Sequence, residues 1–175
     1  MDAKQQACAH ASLSLACYFS PFIKALYCRS NMESQLVVSS IWEDESLFEI
    51  SIFGSNGQFS GQADCYTNRE EIEHLGRLLE KFPRTTKDEL EFKSRSTPDL
   101  SYFSIHAFCT DSSGHTMFAV TIAHIESFTN VRNESYKVNF DMKVEPQAIC
   151  NFGIQLQRIA VNPLGKTKAV LKNAI

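Results

Sequence analysis

A strand-like segment passes directly into an amphipathic helix between residues 59 and 82, and this junction constrains the fold more than any other feature. It reads FSGQADCY followed by TNREEIEHLGRLLEKF. Thr67 and Glu70 have the spacing of a capping box, in which two side chains satisfy free amides at a helix start. Pro83 then ends the helix, because proline cannot donate the hydrogen bond that another turn needs. We therefore predict a helix over residues 67–82 behind a short strand.

One face of this helix is apolar, because its apolar residues recur at steps of three and four: Ile72, Leu75, Leu79 and Phe82. The strand-like segments on either side predict a sheet that this face covers. Residues 48–53 alternate in polarity, and the following turn contains Asn-Gly, which supplies the positive φ of a hairpin. Gly61, in the returning strand, predicts a bulge or a close approach of another backbone.

The remaining elements repeat this organisation. Further strands are predicted at 36–41, 90–94, 102–109, 116–125 and 135–144, and a second amphipathic helix at 146–159 begins with Pro146. The short links between strands favour antiparallel pairing. The predicted fold is α+β: an antiparallel β-sheet of about six to seven strands with two amphipathic helices packed on one face.

The composition changes near both ends of the chain and predicts three parts. Residues 1–31 contain little charge and are interrupted by Pro21, so we interpret them as a weakly packed N-terminal appendage. Residues 32–165 form a single α+β domain, and residues 166–175 form a basic, mobile tail. The first part does not have the positive charge pattern of a signal peptide, since Asp2 cancels Lys4, and no clean cleavage site follows its apolar stretch.

The charge of the chain bears on its partners. The net charge is −3, and Lys and Arg are in excess at both ends, so the middle of the chain is more acidic than the whole. An acidic domain disfavours nucleic acid as a partner and suits a cationic protein, although mild acidity that only maintains solubility also explains the charge. No run of about 18 apolar residues occurs, so no membrane span is predicted.

The candidate catalytic and metal-binding residues all have simpler structural explanations. Cys150 is the best-placed nucleophile, at the start of the second helix, but its neighbours Ile149 and Phe152 favour packing. His106 and His124 lie on neighbouring predicted strands about four positions apart, too far to share a metal at ~3.3 Å per residue. No phosphate-binding loop, metalloprotease motif or serine hydrolase motif is present. We therefore predict no catalytic residue, no metal and no cofactor.

The six cysteines and the acidic runs are also interpreted structurally. No two cysteines form a CxxC pair, which favours free thiols in a reducing compartment and predicts a cytoplasmic location. Residues 43–45 are interpreted as a loop, and residues 70–73 as the first turn of a helix, where negative charge suits the dipole. Trp42 is the only Trp in the chain, and its residue type favours a core edge over an interface.

The order of strands and turns resembles that of the bacterial WapI-type immunity proteins and related small domains. The resemblance begins with FSGQAD at 59–64, preceded by FEISIF and a glycine turn, and includes Leu78, Leu79 and Phe82 in the helix. It covers residues 36–160 and departs from the family over residues 1–31. Its later segments are 90–92, 103–109, Gly114, 118–122, 138–141 and 146–159.

The resemblance implies an antidote that binds and blocks a secreted toxin of competing bacteria and has no reaction of its own. The binding residues are then expected among acidic and aromatic residues of exposed loops: Trp42, Glu43, Asp44, Glu45 and Asp111. The alternative is a small-ligand-binding or self-associating domain. A deep pocket with a titratable pair would favour this alternative, whereas a flat acidic face would favour toxin binding.

Overall fold

The computed structural model describes residues 33–45, 47–94, 100–127, 133–162 and 164–172. The described strands and helices follow one another in the order β1 (Gln35–Glu43), β2 (Phe48–Ser55), β3 (Ser60–Thr67), α1 (Arg69–Glu80), β4 (Glu89–Lys93), β5 (Tyr102–Cys109), β6 (Thr116–Ser127), β7 (Asn133–Val144), α2 (Pro146–Val161) and β8 (Lys168–Lys172). Residues 31–175 form one compact unit. The predicted appendage at 1–31 lies outside the described residues.

The eight described strands form two antiparallel sheets. One sheet has the order β3-β2-β1-β8 and the other has the order β4-β5-β6-β7. The predicted α+β class and antiparallel pairing are therefore confirmed, whereas the single sheet of about six to seven strands is wrong. The division has a simple cause: α1 carries the chain away from β3, so the following strands pair with one another through short hairpins.

The C-terminal segment contributes a strand to the first sheet. Strand β8 pairs antiparallel with β1 over its whole length, and its residues Ala169 and Leu171 are fully buried. The predicted mobile tail is therefore wrong for Lys168–Lys172. The segment begins and ends with lysine, which gives it a basic composition. Every second residue, Ala169 and Leu171, nevertheless points to the core and anchors the strand.

One hydrophobic core is enclosed by both sheets and both helices. The sheets approach closely at Gly61 of β3, where an added Cβ would lie 2.4 Å from Cγ1 of Val138 in β7. The pairing of β2 with β3 continues through Gly61 without a register shift. Gly61 is therefore required by the packing of the Val138 side chain, and not by the bulge or the close backbone approach that the sequence predicted.

The start of α1 differs by one residue from the predicted capping box. Asn68 is the N-cap, and its side chain accepts a hydrogen bond of 2.8 Å from the backbone amide of Glu71. Thr67 instead ends β3 and donates its hydroxyl to the Glu71 carboxylate at 2.7 Å. Asparagine caps a helix start as well as threonine does, so the helix begins one position later than the capping box predicted.

The two helices cross at a pair of glycines. A Cβ added to Gly153 of α2 would lie 2.6 Å from the carbonyl oxygen of Gly76 in α1, and a Cβ on Gly76 would meet the carbonyl of Gly153 at 2.7 Å. Both glycines are buried, and Gln157 donates a 2.8 Å hydrogen bond to Glu80 beside the crossing. Neither described helix is long and apolar enough to cross a membrane.

We predict that Gly153→Ala destabilises the protein. In an open helix position this change would stabilise by nearly 1 kcal/mol through helix propensity. At the crossing the methyl group meets backbone atoms, so we expect a loss of roughly 1–3 kcal/mol in the free energy of unfolding, measured by urea denaturation. The control is His74→Ala on the exposed side of α1, which should be neutral or slightly stabilising. A stabilised Gly153→Ala variant would contradict the close crossing.

Candidate functional site

Arg69, the first residue of α1, joins three parts of the chain. Its guanidinium donates two hydrogen bonds to the carboxylate of Glu43 at the end of β1, one of them at 2.6 Å through Nη2. A third hydrogen bond, from Nη1, reaches the carbonyl of Ala160 near the end of α2. The guanidinium also lies over the ring of Phe48, 4.7 Å from its centre. The ends of β1, β2, α1 and α2 therefore meet at one side chain.

This ion pair shifts the protonation of both partners. The Arg69 hydrogen bonds hold the pKa of the Glu43 carboxyl below its ordinary value of 4.5, and Glu43 in turn raises the pKa of Arg69. Both side chains keep about a third of their surface exposed, so water screens part of this attraction. Two parallel hydrogen bonds fix the geometry of the pair better than a point charge such as lysine would.

A β-bulge directs Trp42 away from the core. Ser40 pairs with Ile50 and Trp42 pairs with Glu49, so Ile41 is an extra residue between them. Without this extra residue, alternation from the buried Ser40 would place Trp42 in the core. With it, Ile41 and Trp42 are each 44% exposed. The core assignment that the residue type favoured for Trp42 is therefore wrong.

The exposed apolar side chains of this region come from two segments. The Arg69 hydrogen bond to Ala160 and a 3.3 Å hydrogen bond from the Gly165 amide to Ser40 bring the end of α2 and Gly165 near the end of β1. Val161 is 70% exposed, and Leu164 is also exposed. Four of the seven large exposed apolar side chains in the described part of the chain thus belong to this region.

The acidic residues of the loop after β1 follow Ile41 and Trp42 directly in the sequence. Asp44 accepts a 2.8 Å hydrogen bond from the Leu47 amide, which closes the loop, and Glu45 is exposed. Glu43, Asp44, Glu45 and Glu70 line one shallow hollow of about 110 Å³ together with Arg69. We call the exposed and partly exposed residues at this end of the first sheet the acidic–aromatic surface; they are Ile41, Trp42, Glu43, Asp44, Glu45, Glu70, Val161 and Leu164.

Asp111 lies in a different place from the other predicted binding residues. It belongs to the turn between β5 and β6 of the second sheet. Its carboxylate accepts hydrogen bonds from the Ser113 amide at 2.8 Å and from Nδ1 of His115 at 2.5 Å, and the His115 bond lowers the Asp111 pKa. Asp111 and His115 line a hollow of about 350 Å³ with Lys143 and Glu145. The predicted set therefore divides into four residues at one surface and one at another.

The described histidines and cysteines do not assemble a reactive cluster. His106 pairs with Ala119 and His124 with Tyr136, so the two histidines are separated along the strands as predicted. Within the described ranges, no group of three His, Cys, Asp or Glu residues is placed to hold a metal ion. Cys65, Cys109 and Cys150 are free thiols. Burial raises the pKa of the Cys65 thiol to about 12, which disfavours the nucleophilic thiolate at neutral pH.

No protein-family model, curated protein or solved structure matches this chain significantly.

Sequence reasoning missed Arg69 as the organiser of this surface, although one signal was present. A cation at the first position of a helix opposes the helix dipole, which favours negative charge there. Such a residue is expected to have a nearby carboxylate, and Glu43 supplies it. No comparable local signal predicted that the segment with Val161 and Leu164 would lie near the end of β1. Its position depends on where α2 ends in the fold.

We predict that the stabilising effect of Glu43 is lost in acid. The folded-state pKa of Glu43 is lowered, so its contribution is fully present above its ordinary value of 4.5 and disappears as the pH falls through the lowered folded value. Glu43→Gln should therefore be less stable than wild type at pH 7, and the difference should shrink below about pH 4.5. Urea denaturation between pH 3 and pH 7 measures this difference.

The control for this experiment is Glu91→Gln on β4, since Glu91 forms no ion pair with another described residue. Its pH profile should follow that of wild type. A difference between wild type and Glu43→Gln that stays constant over the whole pH range would contradict a stabilising ion pair with Arg69.

Proposed function

We propose that this chain is a non-enzymatic binding protein, an immunity-type antidote that neutralises a bacterial toxin domain by direct contact. The observation that carries the proposal is that exposed apolar side chains, among them the only Trp of the chain, and a cluster of carboxylates occur at the same end of the first sheet. The resemblance to the WapI-type immunity proteins over residues 36–160 supports the same function.

The composition of the acidic–aromatic surface suits a protein partner. Exposed large apolar side chains that lie together mark interaction sites more often than scattered ones do. Tryptophan contributes more binding energy than most residues when it enters a pocket of the partner. The carboxylates at the same end of the sheet would attract a cationic partner and exclude an acidic one, which favours fast and specific association.

The surface is also held in shape before any partner binds. Arg69 fixes the end of β1 against both helices, and the Asp44–Leu47 hydrogen bonds close the loop that follows. A surface that is already ordered loses less conformational entropy on binding, so more of the contact energy appears as affinity. An antidote that must bind its toxin before the toxin acts benefits from this arrangement.

The proposed function places the protein in the bacterial cytoplasm, where a toxin domain would reach its target. The free thiols of Cys65, Cys109 and Cys150 support a reducing compartment. Binding by contact needs no metal and no cofactor. A cationic toxin domain is the partner that the charge of the surface favours.

A second function has one observation in its favour. The hollow of about 350 Å³ at the end of the second sheet is large enough for a small ligand, and it combines the Asp111–His115 pair with Lys143 and Glu145. A polar metabolite with groups of both charges would suit this lining. Loss of ligand binding in Lys143→Ala, with toxin neutralisation unchanged, would separate this function from the first.

The test is co-expression of the chain with the toxin domain encoded next to its gene. We expect cell growth to be rescued by the wild type and not by Trp42→Ala, because removal of a central Trp costs roughly 2 kcal/mol or more, about thirtyfold in Kd. In a titration with the purified toxin domain, Trp42 emission should shift as the indole becomes buried. Failure of rescue with unchanged Trp42 emission would overturn the proposal.

A charge variant tests the role of the carboxylates separately. Glu45→Lys should lower the association rate and weaken its dependence on salt, because steering by the acidic loop is reduced. The matched control, Glu91→Lys on β4 of the other sheet, changes the net charge by the same amount away from the surface. Equal effects of the two variants would show that total charge, and not the acidic–aromatic surface, attracts the partner.

A further inference from the structure

Strand β7 forms a long edge of the second sheet in the described part of the chain. It has 12 residues and pairs with β6 along its whole length without a register shift. Its other side has no neighbouring strand within the described sheets. Backbone amides and carbonyls along such an edge can pair with a further strand, so natural proteins cover or interrupt most long edges.

The other edge strands are shorter or protected. Strand β8 has 5 residues, and the Gln155 side chain accepts a 2.8 Å hydrogen bond from its Val170 amide. Strand β4 also has 5 residues. If it paired antiparallel with β4 of a second copy of the chain around its central residue, the two Glu91 carboxylates would face each other. Strand β3 has 8 residues and carries a single charge, Asp64. The edge of β7 is therefore the most suitable for pairing.

The outer face of β7 carries opposite charges in a symmetric order. Lys137, Asn139 and Asp141 are exposed on the same face. Their neighbours on β6 are the small residues Ala123, Thr121 and Ala119. Neither Lys137 nor Asp141 forms an ion pair with any other residue in the described part of the chain. At ~3.3 Å per residue the two charges are also too far apart to pair with each other.

We propose that β7 pairs antiparallel with β7 of a second copy of the chain about a twofold axis at Asn139, so that the two second sheets become one. Antiparallel pairing about this centre places Lys137 of each copy opposite Asp141 of the other copy, forming two ion pairs. On the opposite face, the same register places Val138 opposite Phe140 of the other copy, an apolar pair.

Neighbouring registers lack this complementarity. Centring the axis on Phe140 would place Lys137 opposite Lys143, and centring it on Lys137 or Asp141 would place a charge opposite its own copy. Centring it on Val138 would place Lys137 opposite Asn139 and leave both charges unpaired. Like charges directly opposite each other destabilise a strand pair, whereas opposite charges stabilise it. The charge order therefore selects one register for a second copy of this chain.

The test is sedimentation of the full-length chain and its charge variants. Wild type should form a dimer, and Lys137→Asp and Asp141→Lys should each weaken dimerisation about tenfold or more, because each places like charges opposite each other. Mixing these two variants should restore a heterodimer, since every facing pair is then Lys with Asp. The double variant Lys137→Asp/Asp141→Lys should also dimerise. Recovery in the mixture shows in addition that both single variants are folded.

The matched control is Lys143→Asp, which makes the same charge change on the same face of the same strand. In the proposed register Lys143 lies opposite Ser135 of the other copy, so its dimerisation should change far less than that of Lys137→Asp. A monomeric wild type, equal effects of the two Lys→Asp variants, or no heterodimer in the mixture would each overturn the proposal. None of these outcomes depends on toxin binding, which is assigned to a different surface.

Discussion

The ion pair between Arg69 and Glu43 is the interaction on which the acidic–aromatic surface depends. One guanidinium joins the end of β1, the start of α1 and the end of α2, and it covers the ring of Phe48. These elements belong to separate stretches of sequence, and no hairpin turn fixes their relative positions. Because the guanidinium has donors in several directions, it can hold all three at once, which a lysine could not do. The relative positions of the residues in the acidic–aromatic surface are therefore fixed by the ion pair between Arg69 and Glu43.

The protein presents two surfaces that differ in chemistry and in place. The acidic–aromatic surface combines apolar area with one sign of charge, which suits a different, cationic protein. The edge of β7 has one positive and one negative charge at equal distances from Asn139. In an antiparallel pair each charge therefore faces the opposite charge, which suits a second copy. The first lies at the end of the first sheet and the second lies along the side of the second sheet. A dimer through β7 would therefore carry two acidic–aromatic surfaces and could bind two toxin domains.

The sequence predicted well those features that depend on neighbouring residues. The apolar residues that the sequence placed in the core at the two helices are buried: Ile72, Leu75, Leu79, Phe82, Ile149 and Phe152. The turn residues led to the correct hairpins, because turn geometry is a local property. Predictions failed where distant segments meet. The lysine-rich tail became β8, which pairs with β1, and the strands divided between two sheets.

The sequence by itself determined the α+β class, the antiparallel hairpins and the two amphipathic helices, since periodicity, caps and turns act over a few residues. Only the tertiary structure decided that Asp111 lies apart from the other predicted binding residues, and that Ala160 and Gly165 lie near the end of β1. It also decided that Trp42 is exposed, because a bulge of one residue reverses the side to which a strand residue points. Such a bulge is set by pairing with a partner strand and by the packing of the core, which no local pattern contains.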